Sequence, residues 1–174
     1  MALGEFILPL DGARQADGSG SGNAPAAPAF EVSIGSQPAN APKVSQSAWD
    51  FTSSEQHILF PGLSVPSDYV SGGTLRLIFK MLSATSGNIL MKAAVAIAVN
   101  LSTDDDAIIF SSVTTSGAVS VPGTQGQVKE LTIALTMTNA APNRKMVLMI
   151  GSEGTGWTAA GTLRLMSAKF EYVR

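Results

Sequence analysis

Residues able to do chemistry are few in this chain, and they are scattered. His57 is the single histidine, and it lies in the apolar run Gln56–Phe60. Metal ligation or general-base work would need partners at set spacing, such as HxH or HExxH, and neither occurs. His57 therefore reads as a histidine at the edge of a core. Asp104, Asp105 and Asp106 carry oxygens that suit calcium, but ligand sets use alternate positions so that the oxygens converge on one centre. Three consecutive acids read as a solvated turn. Gly151, Gly154 and Gly156 match neither GxGxxG nor a phosphate-binding loop, because no Lys-Ser/Thr closes the run. They mark a loop holding Trp157, which is expected to make an exposed contact, with a sugar or with a neighbouring subunit. Asp50 beside Trp49 is a second pairing of indole and carboxylate, although Trp49 sits on an alternating strand and reads as core. No G-x-S-x-G elbow and no facing carboxylate pair stands out. The sequence predicts a protein with no catalytic residues, no metal and no cofactor.

The elements that would position these residues are strands. The clearest stretch is Gly73–Leu101, which reads as a long hairpin turning over Ala84–Asn88. Side chains alternate along an extended chain. Leu75, Leu77, Phe79 and Met81 therefore share one face, as do Ile89, Met91, Ala93, Val95, Ile97, Val99 and Leu101 on the second strand. The opposite face of that second strand carries Ala94, Ala96 and Ala98 where Thr, Lys or Glu would be usual. Either both faces are covered within one domain, or the alanine face meets another subunit. The second reading makes Ala94, Ala96 and Ala98 a subunit interface.

Further strands are expected at Val44–Ser53, Gln56–Phe60, Ala107–Thr115, Val119–Val121, Val128–Thr138, Arg144–Gly151 and Thr162–Val173, separated by Pro, Gly and Asn turns. Leu163 and Leu165 alternate in a different phase from Ala168, Phe170 and Tyr172, so the last strand needs a bulge near Met166 or Ser167. Seven to nine strands without an amphipathic helix predict an all-β, antiparallel β-sandwich of jelly-roll type over residues 44–174.

Residues 1–43 differ in character. Gly, Ala, Pro, Ser and Asn dominate, which predicts an extended N-terminal arm tethered through Gly18–Gly22. Its apolar anchors are Leu3, Phe6, Ile7 and Leu8 at one end and Phe30, Val32 and Ile34 at the other. These are expected to lay an added strand onto a partner. The first ten residues carry Glu5 and no basic leader, so no secretion signal is expected, and no run reaches the ~18 apolar residues of a membrane span. Of the 174 residues, 14% are charged and 45% apolar, with 11 Lys plus Arg and a net charge of −2. So low a basic content argues against nucleic acid as a partner. Charge well below the usual ~25% favours a part that is covered in an assembly.

The order of these pieces resembles the small jelly-roll head decoration (cement) proteins of tailed bacteriophages, and also jelly-roll modules of phage tail fibres. It is carried by the Ala/Gly/Pro-rich arm, then AWDFTSSEQHILFPG leading to GGTLRLIFKMLSATSGNILMKAAVAIAV, and the closing VKELTIALTMTNAAPNRKMVLMIGSEGTGWTAAGTLRLMSAKFEYV. The resemblance implies a homotrimer on the outer surface of a virion, made in the host cytoplasm, with the major capsid protein as partner and residues 1–43 clamping capsid subunits. The tail-fibre form of the resemblance implies a receptor- or carbohydrate-binding module with a host glycan as ligand.

Overall fold

The computed structural model describes residues 2–15, 29–34, 45–99 and 108–174. The chain opens with β1 (Leu3–Leu8), a 3-10 turn at Leu10–Gly12, β2 (Arg14–Gln15) and β3 (Ala29–Ile34). Then come β4 (Ser45–Phe51), β5 (Gln56–Ser64), β6 (Ser71–Met81), β7 (Asn88–Ile89) and β8 (Met91–Ile97). The last third holds β9 (Thr114–Thr115), β10 (Val119–Ser120), β11 (Val128–Ala134), β12 (Lys145–Ser152) and β13 (Leu163–Val173). No α-helix occurs among the described residues.

Two antiparallel sheets form the sandwich. One runs β11-β6-β13-β4-β3, with β1 also on β13, and the other runs β2-β5-β12-β8-β9. Alternation supplies the core. Leu75, Leu77, Phe79, Met81, Trp49, Phe51, Leu163, Leu165, Ala168 and Phe170 come from the six-stranded sheet, and Ile58, Phe60, Met91, Ala93, Val95, Ile97, Leu148 and Ile150 from the five-stranded one. The expected antiparallel β-sandwich is present.

The Gly73–Leu101 stretch is not a hairpin. β6 pairs with β11 and β13, whereas β8 pairs with β12 and β9. The segment between them crosses from one sheet to the other. Both strands carry an unbroken apolar face, and two such faces bury more area packed across a core than side by side in one sheet. The crossing is held where Val121 N–H donates to Gly87 O, and Thr158 and Ala159 N–H both donate to Asn88 O. Gly87 has φ +92°, and a Cβ there would come within 2.8 Å of the Ala159 backbone, so only glycine fits this crossing.

The bulge expected in the last strand falls between Leu165 and Ser167. It also divides one edge of β13 between two neighbours. Before the bulge, Leu163–Leu165 pair with Phe51–Trp49 of β4. After it, Ala168–Val173 pair with Leu8–Leu3 of β1. The extra residue resets the phase so that Leu163 and Leu165 as well as Ala168 and Phe170 face the core.

The described parts of residues 1–43 thus lie in the sheets of their own chain. Leu8, Leu10 and Ala13 are buried in the core, the Phe6 ring packs 5.2 Å from that of Phe170, and Trp49 Nε1–H donates to Leu10 O at 2.8 Å. β2 pairs with β5, and β3 pairs with β4.

Candidate functional site

The outer faces of the two sheets differ in charge. On the six-stranded face Arg164 grips Asp50 through two hydrogen bonds of 2.7 Å, and both side chains are largely buried. Beside them Arg76 donates to Glu171 at 2.8 and 3.1 Å and to Glu130. Lys169 donates to Glu5 at 2.7 Å. The Arg76 hydrogen bonds hold the Glu171 carboxyl down to about 2. These carboxylates are each committed to a cation, so they form no acid/base pair of the kind hydrolysis needs.

The outer face of the five-stranded sheet is mostly apolar. Ala94 stands opposite Met149, which stands opposite Leu59, and Ala96 is opposite Val147. Beyond Ala96, Phe110 makes an isolated bridge to it, and Ser111 N–H donates to Val95 O at 2.8 Å. Two hollows meet at Phe110. One, of about 300 Å³, is lined by Leu59, Pro61, Ala96, Ile108, Phe110 and Val147, with Lys145 at its side. The other, of about 260 Å³, lies at the sheet edge on the side of the core-facing Val95 and Ile97, and is lined also by Ile109 and Phe110 and by the polar Ser111, Ser112, Thr138 and Asn139. Phe110 is 39% exposed, more than any other aromatic among the described side chains. A half-open ring between an apolar hollow and one of mixed lining can hold a flat ligand with one apolar face and a hydroxyl-bearing edge.

At the end of the same sheet lies the main charge cluster of this face. Lys92 is buried and donates to Glu55 and, at 3.2 Å, to Glu153. His57 lies beside them, its Nε2 buried without a hydrogen bond and 3.4 Å from a Glu55 oxygen. Burial, then the Lys92 charge, pushes the His57 pKa below 6.5, while the Lys92 hydrogen bond pulls the Glu55 carboxyl below its ordinary value. A histidine whose folded pKa is depressed leaves the unfolded chain binding more protons, so stability is full above pH ~6.5 and falls as pH drops below it. Unfolding free energy is expected to decline between pH 7 and pH 5.5 in denaturant titrations. His57→Gln should flatten that decline, and an unchanged slope in the variant would count against the assignment. No group of three or more side chains suited to a metal occurs among the described residues.

The residues singled out from sequence are placed as follows. Trp157 is not an exposed contact. It is 8% exposed, its Nε1–H donates to Ala159 O at 2.9 Å, and the bonds to Asn88 O plug its loop into the end of the sandwich. The glycines let this loop fold tightly over the indole and do not display it. Trp49 is core, as expected. Ala94, Ala96 and Ala98, expected at a subunit interface, are buried within the single chain, because the larger Met149 and Val147 on β12 and the Phe110 segment flank them. Leu3 and Ile7 point outward, 71% and 72% exposed, whereas Phe6 and Leu8 face the core. Phe30, Val32 and Ile34 lie on β3, opposite Trp49, Ser47 and Ser45 of β4, and their side chains are outside the described residues, as are Asp104–Asp106. Phe110 went unnoticed in sequence because Ile108-Ile109-Phe110 is uniformly apolar, with no alternation to say which side chain faces out.

No protein-family model matches the sequence, and no curated protein matches it. Solved structures do. The family 30 carbohydrate-binding module of a cellulosomal cellulase from Clostridium thermocellum superposes with TM-score 0.50 at 11% identity, covering 98% of this chain and 97% of the module. The K1 cleaved adhesin domain of Lys-gingipain from Porphyromonas gingivalis W83 gives 0.47 at 11% identity with full coverage of both chains. The arabinose-bound MgGH51 α-L-arabinofuranosidase gives 0.49 at 12% identity, and this chain spans only 23% of that enzyme. What is shared is the fold. At such identities the likeness establishes a β-sandwich of the type found in carbohydrate-binding modules and no more.

Proposed function

We propose that this chain is a non-catalytic binding module whose ligand is a carbohydrate chain laid against Phe110. The observation that carries this reading is the half-exposed Phe110 ring at the edge of the five-stranded sheet, standing between an apolar hollow and one of mixed lining that offers hydroxyl and amide groups. A pyranose has one C–H face that gains by covering an aromatic ring, and equatorial hydroxyls that need polar partners. Phe110 supplies the first and Ser111, Ser112, Thr138 and Asn139 the second. The commitment of the opposite face's carboxylates to Arg164 and Arg76 supports a role in holding rather than cutting. The fold's likeness to a carbohydrate-binding module agrees with it.

Affinity electrophoresis through gels containing xylan, β-glucan or a bacterial surface polysaccharide tests this. At least one should retard the protein. Phe110→Ala should weaken that retardation about thirtyfold, the cost of about 2 kcal/mol typical of a central aromatic anchor. Retention of full affinity by the variant would remove Phe110 from the site.

A second reading is a structural protein decorating the outer surface of a phage capsid as a homotrimer, with the major capsid protein as partner. Its support is the chain's low charge together with large apolar side chains left exposed at separate places, among them Val70, Ile109, Val113 and Val128. Neighbours in a shell would cover them. Native mass measurement and microscopy of particles with and without the protein test it.

A further inference from the structure

We infer that two copies of this chain join edge to edge through β1, extending the six-stranded sheet across a two-fold axis. Among the described residues β1 pairs only with β13, and none of the described strands lies on its other edge. An open edge offers unpaired N–H and C=O groups, and natural sheets usually guard it with charge, proline or a covering loop. Here the outward residues of that edge are Leu3, Glu5 and Ile7, and the two apolar ones are among the most exposed of the large apolar side chains.

The order Leu3-Gly4-Glu5-Phe6-Ile7 is self-complementary when run against itself. Directly opposite residues of an antiparallel pair point to the same face, so outward residues must meet outward ones. Centring the pair on Glu5 does this, placing Leu3 opposite the second copy's Ile7, and Ile7 opposite its Leu3. Each exposed apolar side chain would then be covered by the other. On the inner face the same register sets Gly4 opposite the second copy's Phe6. Gly4 carries no side chain because the Tyr172 ring lies over it, and a Cβ there would come within 2.3 Å of Tyr172 Cζ. The second copy's Phe6 keeps its place against its own Phe170, and the side-chain-free Gly4 lets its strand approach without a clash on the inner face.

The one opposing term is Glu5 against its own copy. Next to Glu5 in that row stands Glu171 of β13, so four carboxylates line up across the axis; Lys169, one row away, lies 2.7 Å from Glu5 and 3.1 Å from Glu171, and Arg76 also holds Glu171. The like charges are each compensated by a neighbour, which makes the contact charge-balanced. A six-residue edge is small against the roughly 800 Å² per partner of a standard interface, so the dimer should dissociate at micromolar concentration. Such pairing leaves the Phe110 face free.

Sedimentation velocity of the full chain from low to high micromolar concentration should show a reversible monomer–dimer equilibrium. Ile7→Glu should raise the dissociation constant by about tenfold or more, since it removes two symmetry-related apolar pairs and adds like charge. Glu5→Gln should lower it, which a non-specific apolar contact would not do. Register is read by cross-linking, because the chain has no cysteine of its own. Under mild oxidation Glu5→Cys should form a disulfide dimer, its side chains lying directly opposite, whereas Leu3→Cys should not. Unchanged thermal unfolding of these outward-facing variants excludes misfolding as the cause. A monomer throughout the range, a trimer, or cross-linking by Leu3→Cys and not by Glu5→Cys would overturn the inference.

Discussion

A chain lacking residues 1–15 is expected to lose most of its stability. The deletion strips β1 from β13 and β2 from β5, and it withdraws the fully buried Leu8, the buried Leu10 and the Phe6 ring from Phe170. Burying one leucine contributes ~1.5–3 kcal/mol. The Trp49 indole also loses its bond to Leu10 O, at ~1 kcal/mol or more for a buried group. The sum, on the order of 5 kcal/mol, equals the whole stability of many domains. Denaturant unfolding should show a much lower midpoint or a chain already unfolded. An unchanged midpoint would mean that this segment is an appendage, as its composition suggests, and not part of the sandwich.

The second large effect is expected at Arg164. This guanidinium and the Asp50 carboxylate face each other across β13 and β4 in a two-point contact, each side chain 15% exposed or less. Arg164→Ala would leave a carboxylate desolvated beside a truncated neighbour, which costs about 3–5 kcal/mol when one partner of a buried pair is lost. Replacing both residues with leucine should recover most of that loss, because the penalty belongs to the unpaired charge and not to the absence of the pair. A full double-mutant cycle by denaturant unfolding checks this. A single variant costing no more than ~1 kcal/mol would mark the pair as an ordinary surface bridge.

Much of the architecture was legible because alternation is a local signal. The inward sets on β6, β11 and β13 could be read directly, and the phase change at Met166 foretold the bulge that lets β4 and β1 share one edge of β13. Pairing was not legible in the same way. β6 and β8 look like a hairpin because a short polar turn joins them, yet which strand lies beside which depends on area buried across the whole core. The arm misled through composition. Its Gly, Ser and Pro content describes the joining residues, while Phe6, Leu8 and Leu10 have the spacing of a core strand and its turn. Trp157 misled in the reverse sense, since glycines that suggest exposure serve here to fold a loop over the ring. Phe110 could not be singled out, because its exposure follows from the edge bridge to Ala96, a contact between residues distant in sequence.

The most direct test of the binding account is an amide NMR titration of the full chain with soluble hexasaccharides such as xylohexaose and cellohexaose. The account predicts that the shifts concentrate on Phe110, Ser111, Ser112, Thr138 and Asn139, and that Phe110→Ala moves their midpoint to about thirtyfold higher ligand while leaving the rest of the spectrum in place. Shifts confined to the Arg76 and Arg164 face, or saturable binding that Phe110→Ala leaves intact, would contradict it.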